Sequence, residues 1–281
     1  MILWEDIKRL RPTNLKISPV AVIPQVERRG RIILDLSFPV YQEVNGVVTA
    51  TQASVNGTTA LQAPLKPVKE IGKVFPQLLH YMRDTPAGLH ILFSKLDISD
   101  GFWPLIVQAD CFNFAYVCPQ AKGEPCQIVV PAAVQMGWME SPSLFCTVTE
   151  STRDLTQHFV DNNIVLPLYP IEESMAIEDV PMRGRTRSPT KLLQVYVDDF
   201  CFATTQSDDV AHIPIIQRAV IHGIYAVFPP TVVAYHEEGK ESISAMKLAA
   251  GDGNFNTKKD MIGFSFDGVK PHHAPVQDDI P

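Results

Sequence analysis

Two adjacent acids, Asp198 and Asp199, separate two apolar runs, Lys191–Val197 (KLLQVYV) and Phe200–Thr204 (FCFAT). A third, Asp97, closes the apolar run His90–Ile98 (HILFSKLDI) far earlier in the chain. Ionised carboxylates at the ends of buried strands are costly unless positive charge sits among them. A pair of divalent cations would meet that need, and two metals about 3.5–4 Å apart are a recurring device of phosphoryl transfer. Mg²⁺ suits such a set, being hard and content with one or two carboxylates plus substrate phosphates; Mn²⁺ is the alternative. Spacing alone does not tie Asp97 to the pair. An Asp-Asp in a turn is more often only a turn, because Asp suits turn backbones.

Competing chemistries fail against their own patterns. Asp252-Gly-Asn254-Phe-Asn256 begins like a calcium loop, but position 6 is Thr257 instead of Gly and position 12 is Gly263 instead of Glu. No GxxxxGK[ST] phosphate loop is present, and the eight histidines show no local triad signature. Five cysteines, an odd number without a CxxC pair, argue against a disulfide framework or structural zinc and for reduced, mostly buried thiols.

The 281 residues carry a net charge of −7, which alone would disfavour a nucleic-acid partner. The distribution differs from the total. Residues 1–31 hold seven basic side chains and three acids, whereas residues 97–150 hold six acids and one base, Lys122. A basic arm beside an acidic centre fits a protein that holds phosphates in one place and cations in another. No uncharged apolar run reaches the ~20 residues of a membrane span. Glu5 and Asp6 stand where a signal peptide would want basic residues, so an intracellular, non-secreted protein is expected.

Several elements must position these groups. Arg31–Leu36 and Asn113–Cys118 read as strands, and 41–66 as loop. Ile71, Val74, Leu78, Leu79 and Met82 recur at helical spacing, with Pro76 expected to kink or restart that helix. Ser141 reads as an N-cap before Pro142, opening a helix that runs to Asn162-Asn163. Residues 166–190 read as a long exposed loop bearing Arg183, Arg185 and Arg187. The two short strands around Asp198-Asp199 form a hairpin with the acids at its tip. Ser207 then starts a helix that Gly223 ends.

FSKLDISDGFW (93–103), VQMGWMESPSLF (134–145) and YVDDF (196–200) resemble, in order, the three central palm motifs of reverse transcriptases from retroviruses and retrotransposons. RRGRIILDLSFPV (28–40) resembles the fingers motif that precedes them, and KKDMIGFSFDG (258–268) the hairpin motif that follows. The resemblance spans roughly residues 15–270. It implies that Asp97 and Asp198 are ligands of two catalytic metals, that Asp199 is a third acid, and that the Ile98 carbonyl completes one shell. It further implies Phe102 as an aromatic gate under the sugar, Gly137 as a close approach to the incoming nucleotide with Met136 beside it, and Arg31 with Arg28 or Arg29 on the triphosphate. Lys247, with Lys240 as rival, would approach the leaving pyrophosphate. Tyr196, Arg183, Arg185 and Arg187 would face template and primer. The chain departs from the family at Met136, where relatives often have Gln or an aromatic, at Pro104 after the gate, and at Ser37, where many carry Arg.

The expected fold is α+β, a right-hand polymerase with an antiparallel palm sheet backed by helices. Residues 1–30 would form a basic arm, 31–92 the fingers with part of the palm, 93–270 the palm and 271–281 a tail; no thumb is visible. The expected function is RNA-directed DNA polymerase of a retrotransposon, acting on dNTPs and an RNA or DNA template-primer, with other segments of a retroelement polyprotein as further partners. The alternative is a silent remnant that folds and binds nucleic acid or a partner protein. An RNA-copying RNA polymerase fits less well, because YVDD lacks the Gly that precedes the two acids in that group.

Overall fold

The computed structural model describes residues 1–25, 28–99, 101–107, 112–178, 189–207, 212–230 and 241–269. In chain order its elements begin with β1 (Ile2–Leu3), α1 (Trp4–Leu10), β2 (Val20–Gln25), β3 (Arg28–Leu34), β4 (Val40–Val44), β5 (Val47–Gln52) and the one-turn helix α2 (Val55–Thr58). Next come α3 (Lys66–Asp84), β6 (Ile91–Asp97), β7 (Tyr116–Val117), β8 (Gln127–Val129) and α4 (Ser141–Asp161). The last are β9 (Lys191–Tyr196), β10 (Asp199–Thr205), α5 (His212–Val227), α6 (Ala245–Ala249), β11 (Lys258–Met261) and β12 (Phe264–Asp267). The result is a mixed α+β protein with small antiparallel sheets, and no described helix is long and apolar enough to cross a membrane.

The chain forms two compact units, Met1–Pro64 with Asp100–Phe145, and Leu65–Ser99 with Cys146–Pro281. They divide it differently from the sequence boundaries at 31–92 and 93–270. In the first unit the stretch expected as a basic arm is built into the fold. β1 pairs with β8, α1 buries Ile7, and β2 pairs with β3. Residues 41–66, expected as loop, contain the β4–β5 hairpin and α2. Asn45 (φ 55°) and Gly46 (φ 77°) make the hairpin's turn, both left-handed as a type I′ turn requires. Every residue of β5 is exposed, so neither face carries an apolar stripe to announce the strand. The expected strand 113–118 shortens to β7 after a 3₁₀ turn at Phe112–Phe114. Leu34, Leu36, Val55, Phe114 and Tyr116 form one core cluster of this unit.

The second unit is organised by the antiparallel sheet β6-β10-β9. One face, carrying Ile91 and Phe93 of β6 with Cys201 and Ala203 of β10, packs against Val74 and Leu78 of α3 and Met261 and Phe266 of the β11–β12 hairpin. Helix α3 runs unbroken through Pro76. Pro76 and Gly72, whose carbonyl loses its helical donor, are both exposed, so water can take that carbonyl. Helix α4 begins at Ser141 itself, whose hydroxyl donates to the Gln135 carbonyl (2.6 Å) instead of capping from outside. Helix α5 does not stop at Gly223 but continues to Val227. An added Cβ on Gly223 would lie 2.0 Å from Thr156 Oγ1, so this glycine lets α5 approach α4. The start of the expected 166–190 loop is tied down: Ile177 bridges Phe255, and Arg218 pairs with Glu172. Of the described cysteines, Cys146 and Cys201 are buried, Cys118 is half-buried and Cys126 exposed; all four are free. Residues 208–211, which follow the expected helix start at Ser207, lie outside the described residues.

Candidate metal centre

Strand pairing brings the acids together. β6 and β10 pair with Asp97 opposite Asp199, Lys95 opposite Cys201 and Phe93 opposite Ala203, so the two acids end the face that carries the core residues Ile91, Phe93, Cys201 and Ala203. The hairpin turn is Val197-Asp198, one residue earlier than the sequence pattern suggests, and Asp199 is the first residue of β10. Val197 has φ 59° while Asp198 does not share the left-handed region, the pattern of a type II′ turn. A β-branched residue there is strained by roughly 1–3 kcal/mol, and such strain clusters at functional sites. The Ile98 N–H donates to the Asp198 carbonyl (3.1 Å), which locks the turn to the end of β6.

Ligand oxygens of Asp97, Asp198 and Asp199 all lie within 4.8 Å of one another. Lys247, on α6, places Nζ 2.7 Å from Asp97 Oδ1 and 3.9 Å from Asp199 Oδ1. These are ion-pair contacts, not well-directed hydrogen bonds. Both Oδ1 atoms are buried and accept no hydrogen bond. Burial, and then the neighbouring Asp97 and Asp198, push the Asp199 carboxyl up to about 7 against the pull of Lys247. Burial draws Lys247 down, but Asp97, Asp199 and Asp198 outweigh it and raise its pKa. Burial likewise raises Cys201, next along the same face, to about 12, keeping it an inert thiol. Clustered hard oxygen donors, two of them buried without a hydrogen bond, fit a divalent cation.

No family model matches the chain, and no curated protein matches it.

The other site candidates divide between the two units. With the acids, in the second, are Ile98, Lys247 and Tyr196, which is opposite Asp199 in the β9–β10 pairing. The first unit holds Arg31, Phe102, Met136 and Gly137. Arg31 is exposed on β3, and the same strand carries Arg28 and Arg29. Phe102 packs edge-to-face on Phe145 with centroids 4.8 Å apart. Gly137 has φ 96°, and a Cβ on it would meet the Leu34 carbonyl at 3.3 Å, so both conformation and space ask for glycine. Gln135 is buried and spends its amide on the Ala133 carbonyl (2.6 Å), leaving half-buried Met136 as the side chain next to Gly137. Arg183, Arg185, Arg187 and Lys240 lie outside the described residues.

Two residues organise this region without a sequence motif to announce them. Asn56 donates to the Gly137 carbonyl (2.9 Å) and to Ser37 Oγ (2.9 Å), and accepts from the Met139 N–H (3.0 Å). The buried Glu140 carboxylate accepts from the N–H groups of Gln62 and Ala63. The sequence carries no local signal for either, because every one of these partners lies 19 or more residues away.

Proposed function

We propose that the chain is an RNA-directed DNA polymerase of retrotransposon type, with the β6-β10-β9 sheet as its palm and the first unit's hairpins in its fingers. What supports the reading is that Asp97 and Asp199, from two motifs far apart in sequence, face each other in register with Asp198 beside them. The reaction joins a primer 3′-oxygen to the α-phosphorus of a dNTP and breaks the bond to pyrophosphate. Asp97 and Asp198 would hold two Mg²⁺ ions, with Asp199 and the Ile98 carbonyl as further ligands. Mg²⁺ held by these residues would supply a lowered pKa for the primer hydroxyl and neutralisation of the leaving phosphates.

The chain's own groups do the rest. Lys247 keeps its proton beside the acids and is poised to give it to the departing pyrophosphate. Phe102 limits space under the sugar and selects against a 2′-hydroxyl. Gly137 admits the nucleotide close to the backbone, with Met136 lining that approach, while Arg31 with Arg28 or Arg29 grips the triphosphate by guanidinium forks. Tyr196 would face template and primer, a role the family resemblance also implies for Arg183, Arg185 and Arg187.

Primer extension on an RNA template, with dNTPs and Mg²⁺ or Mn²⁺, tests the reading. Extension should occur with the wild-type chain and disappear in Asp198→Asn. A folded chain that binds primer-template but never extends it would sink the polymerase reading and favour the silent remnant.

A further inference from the structure

Strand β11 alternates exposed Lys258, buried Lys259, exposed Asp260 and buried Met261, so Lys259 points to the core face. A lysine there is costly, and burial draws its ammonium down to about 8. Among the described residues no carboxylate lies within ion-pair distance of it; nearby Asp252 pairs with Lys95 instead (3.4 Å). Lys259 Nζ instead donates to two backbone carbonyls, Gly251 (2.6 Å) and Asn254 (2.9 Å).

Those carbonyls belong to the turn that closes α6. The Gly251 N–H bonds the Leu248 carbonyl (2.8 Å), and the Asp252 N–H bonds the carbonyl of Lys247 itself (3.0 Å). At the other end of α6, the Ser244 N–H bonds the Asp97 carbonyl (2.9 Å). Helix α6 is thus barely more than one turn, fastened to the acid strand at its start and to Lys259 at its finish. Lys247 lies between the two fastenings.

We propose that Lys259 is a positioning residue, which fixes the turn after α6 and so holds the Lys247 ammonium against Asp97 and Asp199. A methionine would fill the same space without gripping either carbonyl. The turn would keep its bonds to β6 from Lys95 N–H and Ser94 Oγ, so the fold survives while Lys247 loosens.

The test needs no activity in its first arm. The full chain is treated with acetic anhydride without divalent cations, and peptide masses give the acylation rate of Lys247 relative to exposed Lys191. Lys247 should be protected in the wild type, several-fold faster in Lys259→Met, and near wild type again in Lys259→Arg. If the methionine variant does not fold, Lys259→Gln serves in its place. An unprotected Lys247 in the wild type, or an unchanged rate in a folded variant, overturns the proposal. The second arm rests on the polymerase reading. For single-nucleotide addition, Lys259→Met should lower kcat about tenfold with little change in KM. It should add nothing in a Lys247→Met background, whereas an additive loss means Lys259 does not act through Lys247. If the wild type extends no primer, the polymerase reading falls and the acylation arm still decides the role of Lys259.

Discussion

Asp199 opposes a like charge across two strands, and the consequence is a definite pH dependence. Its carboxyl, ordinarily near 3.8, stands at about 7 in the folded chain. Between those values the folded chain binds more protons than the unfolded one, so stability from this group is full below about pH 4 and is lost as pH rises through 7. Urea midpoints measured without divalent cations should therefore fall between pH 4 and 7, and Asp199→Asn should flatten that part of the profile. An equally steep fall in the variant would assign the dependence elsewhere. A divalent cation held by these oxygens would compete with the proton, so if Mg²⁺ binds there its stabilising effect should be large at pH 7–8 and small at pH 5.

At the scale of elements, the α4–α5 contact is set by one missing side chain. Gly223→Ala forces a Cβ into Thr156, which is fully buried and already donates to the Thr152 carbonyl (2.9 Å). Overpacking of this kind costs about 1–3 kcal/mol, and the thermal midpoint should fall accordingly. Thr156→Ala removes the nearest atom and should recover part of the loss in the double variant; strict additivity would mean the two helices do not meet there. Gly223 also marks what the sequence hides. A glycine late in an apolar helix reads as a terminator, because what requires it is a partner helix rather than the local chain. The same holds for Asp97 and Asp199, each legible at a strand end although their register depends on long-range pairing. Hairpin β11–β12 was legible only through the resemblance of 258–268 to a hairpin motif, and its turn is Ile262-Gly263. Hairpin β4–β5 was not, despite Asn45-Gly46, because β5 is exposed on both faces and leaves no period to read. Pro76 misled because the rule against proline in helices weakens where the orphaned carbonyl faces water.

For the whole molecule, a net charge of −7 and a buried acid cluster are hard to reconcile with a polyanionic partner unless charge is segregated. The seven basic residues within 1–31, the exposed Arg31 on β3 among them, supply the segregation, while the acid cluster belongs to the other unit. Binding through such a surface releases condensed counterions, and affinity then follows salt with a slope near −0.9 per phosphate neutralised. If three to five of those residues engage primer-template, affinity should drop about 40- to 500-fold between roughly 50 and 200 mM salt. Replacing Arg29 and Arg31 by alanine should flatten the slope by about 0.9 for each phosphate that is no longer neutralised. That outcome separates a phosphate-gripping surface from a merely folded one, since a structural defect weakens binding at every salt concentration without changing the slope. An unchanged slope in the double variant would move the binding surface away from β3, and an affinity indifferent to salt would remove the electrostatic account altogether.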